Sequence, residues 1–401
     1  MAKILAHTSS ALRQLLPVSS LLSELTRRGH TIHARTLASG IEAAGQRGFA
    51  ADGIDTRIEA VELDDWKASN PVGALKLSIA AFGRRAHYEV ADLADAAAGI
   101  RPDALLVDVN CWGTLPWASF APYTPALRVP GVPPFGLGLR PMAGAFGWLR
   151  DGAVRTLVGG PLEKRALKAV NEIRADIGVS PVVSLDDFLR RPPLLYLATG
   201  TPFQYPGDWG TNVHMIGPCV PDAASAPVPE WLAAIDRPIV LVTTSSEKQA
   251  DHALVQTAID ALAREPVHVV ATLPAGDPAE IRPSPRATVR RFIDHDLVLD
   301  RAVCAVTHGG MGATQRALAR GIPVCVVPFG RDQFEVARRA EVARCGTRLP
   351  GKKLSVARLR DKVLKAMTLT AGAGRVAAGF TATGGVARGA DLFEQRLLQF
   401  R

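Results

Sequence analysis

No stretch of this 401-residue sequence approaches the roughly eighteen uninterrupted apolar residues that a membrane-spanning helix needs, so no integral membrane association is expected. The first six residues hold one Lys before a short apolar run and carry no signal-peptide cleavage pattern, which points to a cytoplasmic protein. Cysteine is scarce and scattered: Cys111, Cys219, Cys304, Cys325 and Cys345 form no C-x-x-C pair, and they are expected to be reduced and structural. No other His, Cys or carboxylate cluster has ligand spacing, so no metal is expected. Aromatic residues make up only 6%, and Lys and Arg are dispersed, which argues against a nucleic-acid partner despite a net charge of +9. The positive excess suits an anionic small ligand, or simply solubility.

What is present is apolar. A 47% hydrophobic content supports a large core, and the length favours two lobes, because single cores stop growing near ~250–300 residues. Residues 3–7 form an apolar run, residues 15–28 show helical spacing closed by Gly29 as a C-cap, and residues 31–37 and 103–107 read as further strands. Pro218, Pro221, Pro227 and Pro229 then sit among small and polar residues, the composition of a connector. Beyond it the alternation restarts, with strands at 238–243, 267–272, 302–307 and 322–327 and helices at 250–264 and 314–320. A last amphipathic helix covers about 389–399. The expected fold class is α/β, two doubly wound sheets: residues 1–217, a linker at 218–237, a second unit at 238–385, and a terminal helix at 386–401 packing back on the first unit. Residues 130–148 are rich in Gly and Pro and fit no regular element; a loop lining an apolar pocket and an ordinary buried segment are equally compatible with them.

Three clusters fall at strand ends of the second unit. Thr307-His308-Gly309-Gly310-Met311-Gly312-Ala313-Thr314 lies between a strand and a helix, where a glycine-rich turn lets backbone N–H groups approach an anion and the helix dipole adds about half a positive charge. No Lys follows the last glycine, so it is no Walker loop, and the dinucleotide fingerprint is absent. Pro328-Phe329-Gly330-Arg331-Asp332-Gln333 puts a carboxylate beside an amide at a sheet's carboxyl edge, able to bind vicinal hydroxyls or, more simply, to cap a helix. Thr243-Thr244-Ser245-Ser246 follows another strand and offers hydroxyls to the same place. Asp294-His295-Asp296 precedes a short apolar run and does not end a strand, and is read as chance.

The order and spacing of 292–299, 307–314 and 328–333 resemble the nucleotide-sugar signature of the family 1 glycosyltransferases of the GT-B fold, especially bacterial enzymes that decorate antibiotics and other natural products. The resemblance implies two Rossmann-like lobes across a cleft, the first binding acceptor and the second a nucleotide-sugar donor. It implies an inverting, metal-independent transfer of a hexose or deoxyhexose from a UDP- or dTDP-sugar to a hydroxyl of an apolar small molecule, with no cofactor beyond that co-substrate. Phe292 and Ile293 would flank the base, with His295 nearby; His308, Gly309, Gly310, Met311, Gly312 and Thr314 would hold the diphosphate, with Ser245 and Ser246 as a second clamp; Asp332 and Gln333 would hold the sugar. Gln14, Trp112, Phe135, Leu137, Met142 and Phe146 are candidate acceptor walls. A homodimer is left open.

Two positions depart from the family pattern. Arg316 stands where many relatives carry a Glu for the ribose, which leaves the nucleotide undecided. Gln14 stands where relatives place a catalytic His, and a neutral amide takes no proton at pH 7. Asp108 as the base, His7 as a substitute, or an acceptor acidic enough to need little help would each answer this. A non-catalytic auxiliary protein and a nucleotide-sugar 2-epimerase are the alternative readings.

Overall fold

The computed structural model describes residues 1–8, 12–68, 71–113, 118–121, 127–134, 136–220, 227–245 and 251–398. Phe135 and Ser246, singled out above, lie outside the described residues, and of Gln14 only the backbone is described.

The first sheet comprises β1 (Lys3–His7), β2 (Thr31–Thr36), β3 (Ala50–Gly53), β4 (Ala104–Asp108), β5 (Ala118–Ala121), β6 (Leu194–Leu197) and β7 (Val213–Met215). All pairs are parallel. Strands such as β4 and β6 are buried at every residue, which is why they read as unbroken apolar runs. Helix α1 (Leu12–Arg27) closes where expected: Gly29 takes φ +93°, its N–H bonds Thr26 O, and His30 N–H bonds Leu25 O, a Schellman cap that only glycine enters without strain. Helix α2 (Pro71–Ile100) is 30 residues long and covers one sheet face through Leu93. The strand order β3-β2-β1-β4-β5-β6-β7 reverses direction between β1 and β4, and open α/β sheets bind ligands at such a reversal, outside the carboxyl ends of the strands.

One expectation changes here. The latter part of the irregular segment 130–148 is helical, because α3 (Gly144–Val154) passes through a π turn at Arg155–Gly159 into α4 (Gly160–Asp176). Most of α3 faces solvent, so no apolar stripe with helical period is written into its sequence.

The second sheet comprises β8 (Ile239–Thr243), β9 (His268–Thr272), β10 (Ala287–Arg290), β11 (Ala302–Thr307), β12 (Val324–Val326) and β13 (Gly346–Arg348), in the order β10-β9-β8-β11-β12-β13. The reversal lies between β8 and β11. Around this sheet run α5 (Ala253–Leu262), α6 (His295–Leu299), α7 (Met311–Ala319) and α8 (Gln333–Val342).

The chain then returns to the first lobe. Helix α9 (Thr370–Ala382) meets the turn after β6 so closely that a Cβ on Gly379 would stand 1.9 Å from Thr201 O, and Phe380 lies edge-on to Phe203 with centroids 6.0 Å apart. Helix α10 (Gly385–Phe393) buries Leu392 and Phe393 in the core formed by α1 and the first sheet, and Gly389 O accepts from the buried Tyr196 hydroxyl at 2.6 Å. Arg28 adds ion pairs to Asp391 and Glu394. All five cysteines are buried with no disulfide among them.

Candidate active site

The loops leaving β8 and β11 line the reversal point of the second sheet, and the glycine turn belongs to β11. Gly309 adopts φ +97°, and a Cβ there would meet Gln333 Cβ at 2.9 Å and Val326 Cγ1 at 3.1 Å, so only glycine fits without movement. Gly310 caps α7 with no side chain over the helix end, and His308 Nε2 would be 2.6 Å from a Cβ on Gly310; the imidazole rests on the turn. A Cβ on Gly312 would meet nothing within 4 Å, so the first turn of α7 is open on that side. An uncapped helix start that is open on one side has the dipole and the N–H groups to attract an anion.

The surroundings hold this turn still. Thr314 Oγ1 and Thr307 Oγ1 are 2.9 Å apart and buried, and Thr314 N–H bonds Gly310 O. The Thr314 hydroxyl therefore latches the turn. His308 is held below the ordinary imidazole range by burial, opposed by the carboxylate of Asp251, the Thr243 backbone and the carboxylate of Asp332. Neutral, it can donate one N–H to an anion. Asp251, which the sequence did not flag, accepts from Ser245 N–H at 2.6 Å and so fixes the loop after β8 beside His308.

At the base end, Phe292 is 82% exposed while Ile293 belongs to the core. Phe292 presents an exposed ring, and Ile293 packs into the core. His295 bonds Thr272 Oγ1 at 3.1 Å and is pushed down to about 4, by burial first and the Arg316 charge second. Arg316 turns toward Asp296, 3.5 Å away, and Asp294 caps α6 by accepting from Asp296 N–H. Both carboxylates of the D-x-D string are thus engaged in local structure. Asp332 stands at the start of α8, and the buried Gln333 Oε1 accepts from Phe329 and Gly330 N–H at 2.8 and 3.0 Å. Gln333's carbonyl thus shapes the loop.

In the first lobe the reversal point lies between His7 and Asp108, on adjacent strands. His7 is fully buried; its Nε2 lies 2.9 Å from Asp92 Oδ2 on α2, and Asp92 also receives Arg35 and Asp55 N–H. Burial raises the Asp92 carboxyl, but the bonds from His7 and Arg35 outweigh it and hold the group below the usual range. His7 is in this arrangement an interior residue positioned by Asp92. Asp108 ends β4 with Oδ1 accepting from Asn110 N–H and Nδ2 at 2.8 and 2.7 Å. Its turn is packed tightly, since a Cβ on Gly113 would lie 2.0 Å from Ala86 O of α2.

Beneath that turn sits Glu89, also missed in the sequence. It is buried, accepts from Gly113 N–H at 3.0 Å, and is pushed up to about 8 by burial, with Asp108 and Asp92 adding to the rise. A raised carboxyl binds a proton that the unfolded chain has already released, so stability falls as pH climbs from the unfolded value near 4.5 to about 8. At about 1.4 kcal/mol per pKa unit the loss is on the order of 4 kcal/mol. Glu89→Gln is expected to flatten the urea-unfolding free energy across that window and to raise it at pH 8; an unchanged pH slope would show that Glu89 is ionised in the fold.

The acceptor walls divide. Phe146 is 81% exposed and Met142 and Leu137 are exposed, forming free apolar surface on α3 and the loop before it. Trp112 is instead packed between Phe82 and Phe188, with centroids 5.4 and 6.5 Å away, and belongs to structure. The two carboxyl edges meet: Gln315 of α7 donates to Ala198 O after β6 at 2.8 Å, and Arg331 binds Asp65.

Residues 256–385 match the family model of the erythromycin biosynthesis protein CIII-like C-terminal domain. The 4'-demethylrebeccamycin synthase of Lentzea aerocolonigenes is 33% identical over 237 residues, 57% of this chain and 56% of that protein, so the match spans about half the relative's length. Among solved structures, the glycotransferase of kitacinnamycin superposes with a TM-score of 0.78 at 21% identity, covering 99% of both chains. Spinosyn rhamnosyltransferase SpnG complexed with thymidine diphosphate superposes with a TM-score of 0.71 at 18% identity, covering 98% of this chain and 99% of that one.

Proposed function

We propose, for a chain whose two lobes share the GT-B fold of natural-product glycosyltransferases and whose residues 256–385 match the erythromycin biosynthesis protein CIII-like C-terminal domain, that it transfers a sugar from a dTDP-linked donor to a hydroxyl of an apolar small molecule. The observation that carries this reading is the open glycine turn at the start of α7, set at the reversal point of one sheet and brought against the carboxyl edge of the other.

The diphosphate lies on the N–H groups of Met311, Gly312 and Ala313 with His308 beside it, and Asp332 and Gln333 take the sugar hydroxyls. Phe292 offers its exposed ring to the base. Helix α7 carries no carboxylate for a ribose 2′-hydroxyl, and Arg316 is engaged with Asp296; a deoxyribose asks for none. Spinosyn rhamnosyltransferase SpnG holds thymidine diphosphate, in keeping with the same choice. Asp108 removes the acceptor proton, the oxygen attacks the anomeric carbon from the face opposite the diphosphate, and configuration inverts. Charge growing on the leaving group meets fixed donors at the helix start, an effect worth several kcal/mol in preorganised sites. Leu137, Met142 and Phe146 offer the acceptor an apolar surface.

Thermal melting with nucleotides tests the donor half. dTDP at about a hundred times its Kd is expected to stabilise the fold by about 2.7 kcal/mol, with UDP clearly weaker at equal concentration. No shift with either nucleotide would remove the reading.

A further inference from the structure

We infer that Asp65 and Arg331 form a clasp between the lobes that positions the donor's sugar, an inference resting on the sugar-holding role given above to Asp332 and Gln333. Arg331 directs Nε to Asp65 Oδ2 and Nη2 to Asp65 Oδ1, each at 2.6 Å, a two-pronged pair across 266 positions of sequence. Both side chains are largely buried, Asp65 at 3% and Arg331 at 14% exposure, so this is no solvent-facing ion pair of small consequence.

Its placement gives the clasp a task. Arg331 directly precedes Asp332, and its backbone is left-handed at φ +52°, a conformation that a long side chain holds only when its surroundings demand it. The loop around it is rigid, because Gln333 Oε1 ties down Phe329 and Gly330. Moving the guanidinium therefore moves Asp332 and Gln333 with it. At the other end, Asp65 sits in the short turn Asp64–Lys67, which packs against α2, the helix that carries Glu89 and Asp92 under the Asp108 turn. The clasp thus runs from the sugar loop to the element that supports the proposed base. A second tie lies further along α8, where Arg338 Nε bonds Gly138 O at 2.9 Å, so the clasp acts on the front of a helix already held at its middle. Asp65 and Arg331 are positioning residues: they touch the loop, and the loop touches the sugar.

The test compares Asp65→Asn, Arg331→Lys and the double exchange Asp65→Arg with Arg331→Asp, each checked for an unchanged fold by melting. Aspartate tolerates left-handed backbone better than most residues, so the exchange adds no strain at position 331. Each single variant is expected to raise the KM for the dTDP-sugar about tenfold or more while the Kd for dTDP alone stays within about twofold, because the N–H groups given to the diphosphate lie on α7 and not on this loop. The exchange is expected to recover most of the KM. Wild-type transfer with KM unmoved in both single variants overturns the clasp and leaves the functional reading standing. A parallel loss of dTDP binding also overturns it, by showing general damage to the donor site. Wild-type protein with no donor-dependent transfer overturns the functional reading, and this role with it.

Discussion

Asp108→Asn is expected to lower kcat for sugar transfer by about 10³-fold while leaving the donor KM within about twofold. The substitution keeps the shape and the bonds to Asn110, since an amide oxygen can accept in place of Oδ1. What it removes is the ability to take a proton. Both candidates at the reversal point of the first sheet end their strands, but His7 is fully buried with its Nε2 on Asp92, whereas Asp108 keeps slight exposure. A near-neutral Glu89 below the turn also spares Asp108 one like charge at physiological pH. Stopped-flow or end-point assay of product against pH checks the assignment. An Asp108→Asn enzyme retaining more than a tenth of wild-type kcat would point to an acceptor that ionises unaided.

Gly309→Ala is expected to weaken dTDP binding by about 100-fold and to cost about 2 kcal/mol of stability. Two effects add: alanine at φ +97° is strained, and its methyl group would press on Gln333, whose backbone begins α8. The strain falls on the phosphate turn itself, and the methyl's pressure on Gln333 disturbs the sugar loop as well. Titration calorimetry with dTDP and urea unfolding measure the two losses separately. Full affinity in a folded Gly309→Ala protein would mean that the helix start does not hold the diphosphate.

The fold was largely legible because parallel strands buried on both faces leave apolar runs of distinctive length. The runs at residues 3–7 and 302–307 match β1 and β11 residue for residue. The glycine turn and the Asp332-Gln333 pair were legible for a related reason, lying next to strand ends in sequence. The groups that tune the site were not. Asp92 reaches His7 across 85 positions, and Asp65 reaches Arg331 from the other lobe. Pairings of this kind leave no local pattern, since each partner alone resembles any surface charge. Glu89 is similar: on a 30-residue helix one carboxylate is unremarkable until burial raises its affinity for a proton. Trp112 and Ile293 pack against other apolar side chains, a role that a large apolar residue near a site takes as readily as binding and that the sequence does not separate from it.

The return of α9 and α10 to the first lobe bears on how this protein can be recombined. Leu392 and Phe393 complete an interior that α1 and the first sheet cannot close alone, and Gly379 fits only against the Thr201 turn it faces. A hybrid built by swapping everything after residue 237 for a homologous half would bring a foreign plug to a native socket. Cutting twice, near 237 and again near 369, keeps each socket with its own plug, and marks residues 238–369 as the cassette to exchange when a different donor is wanted.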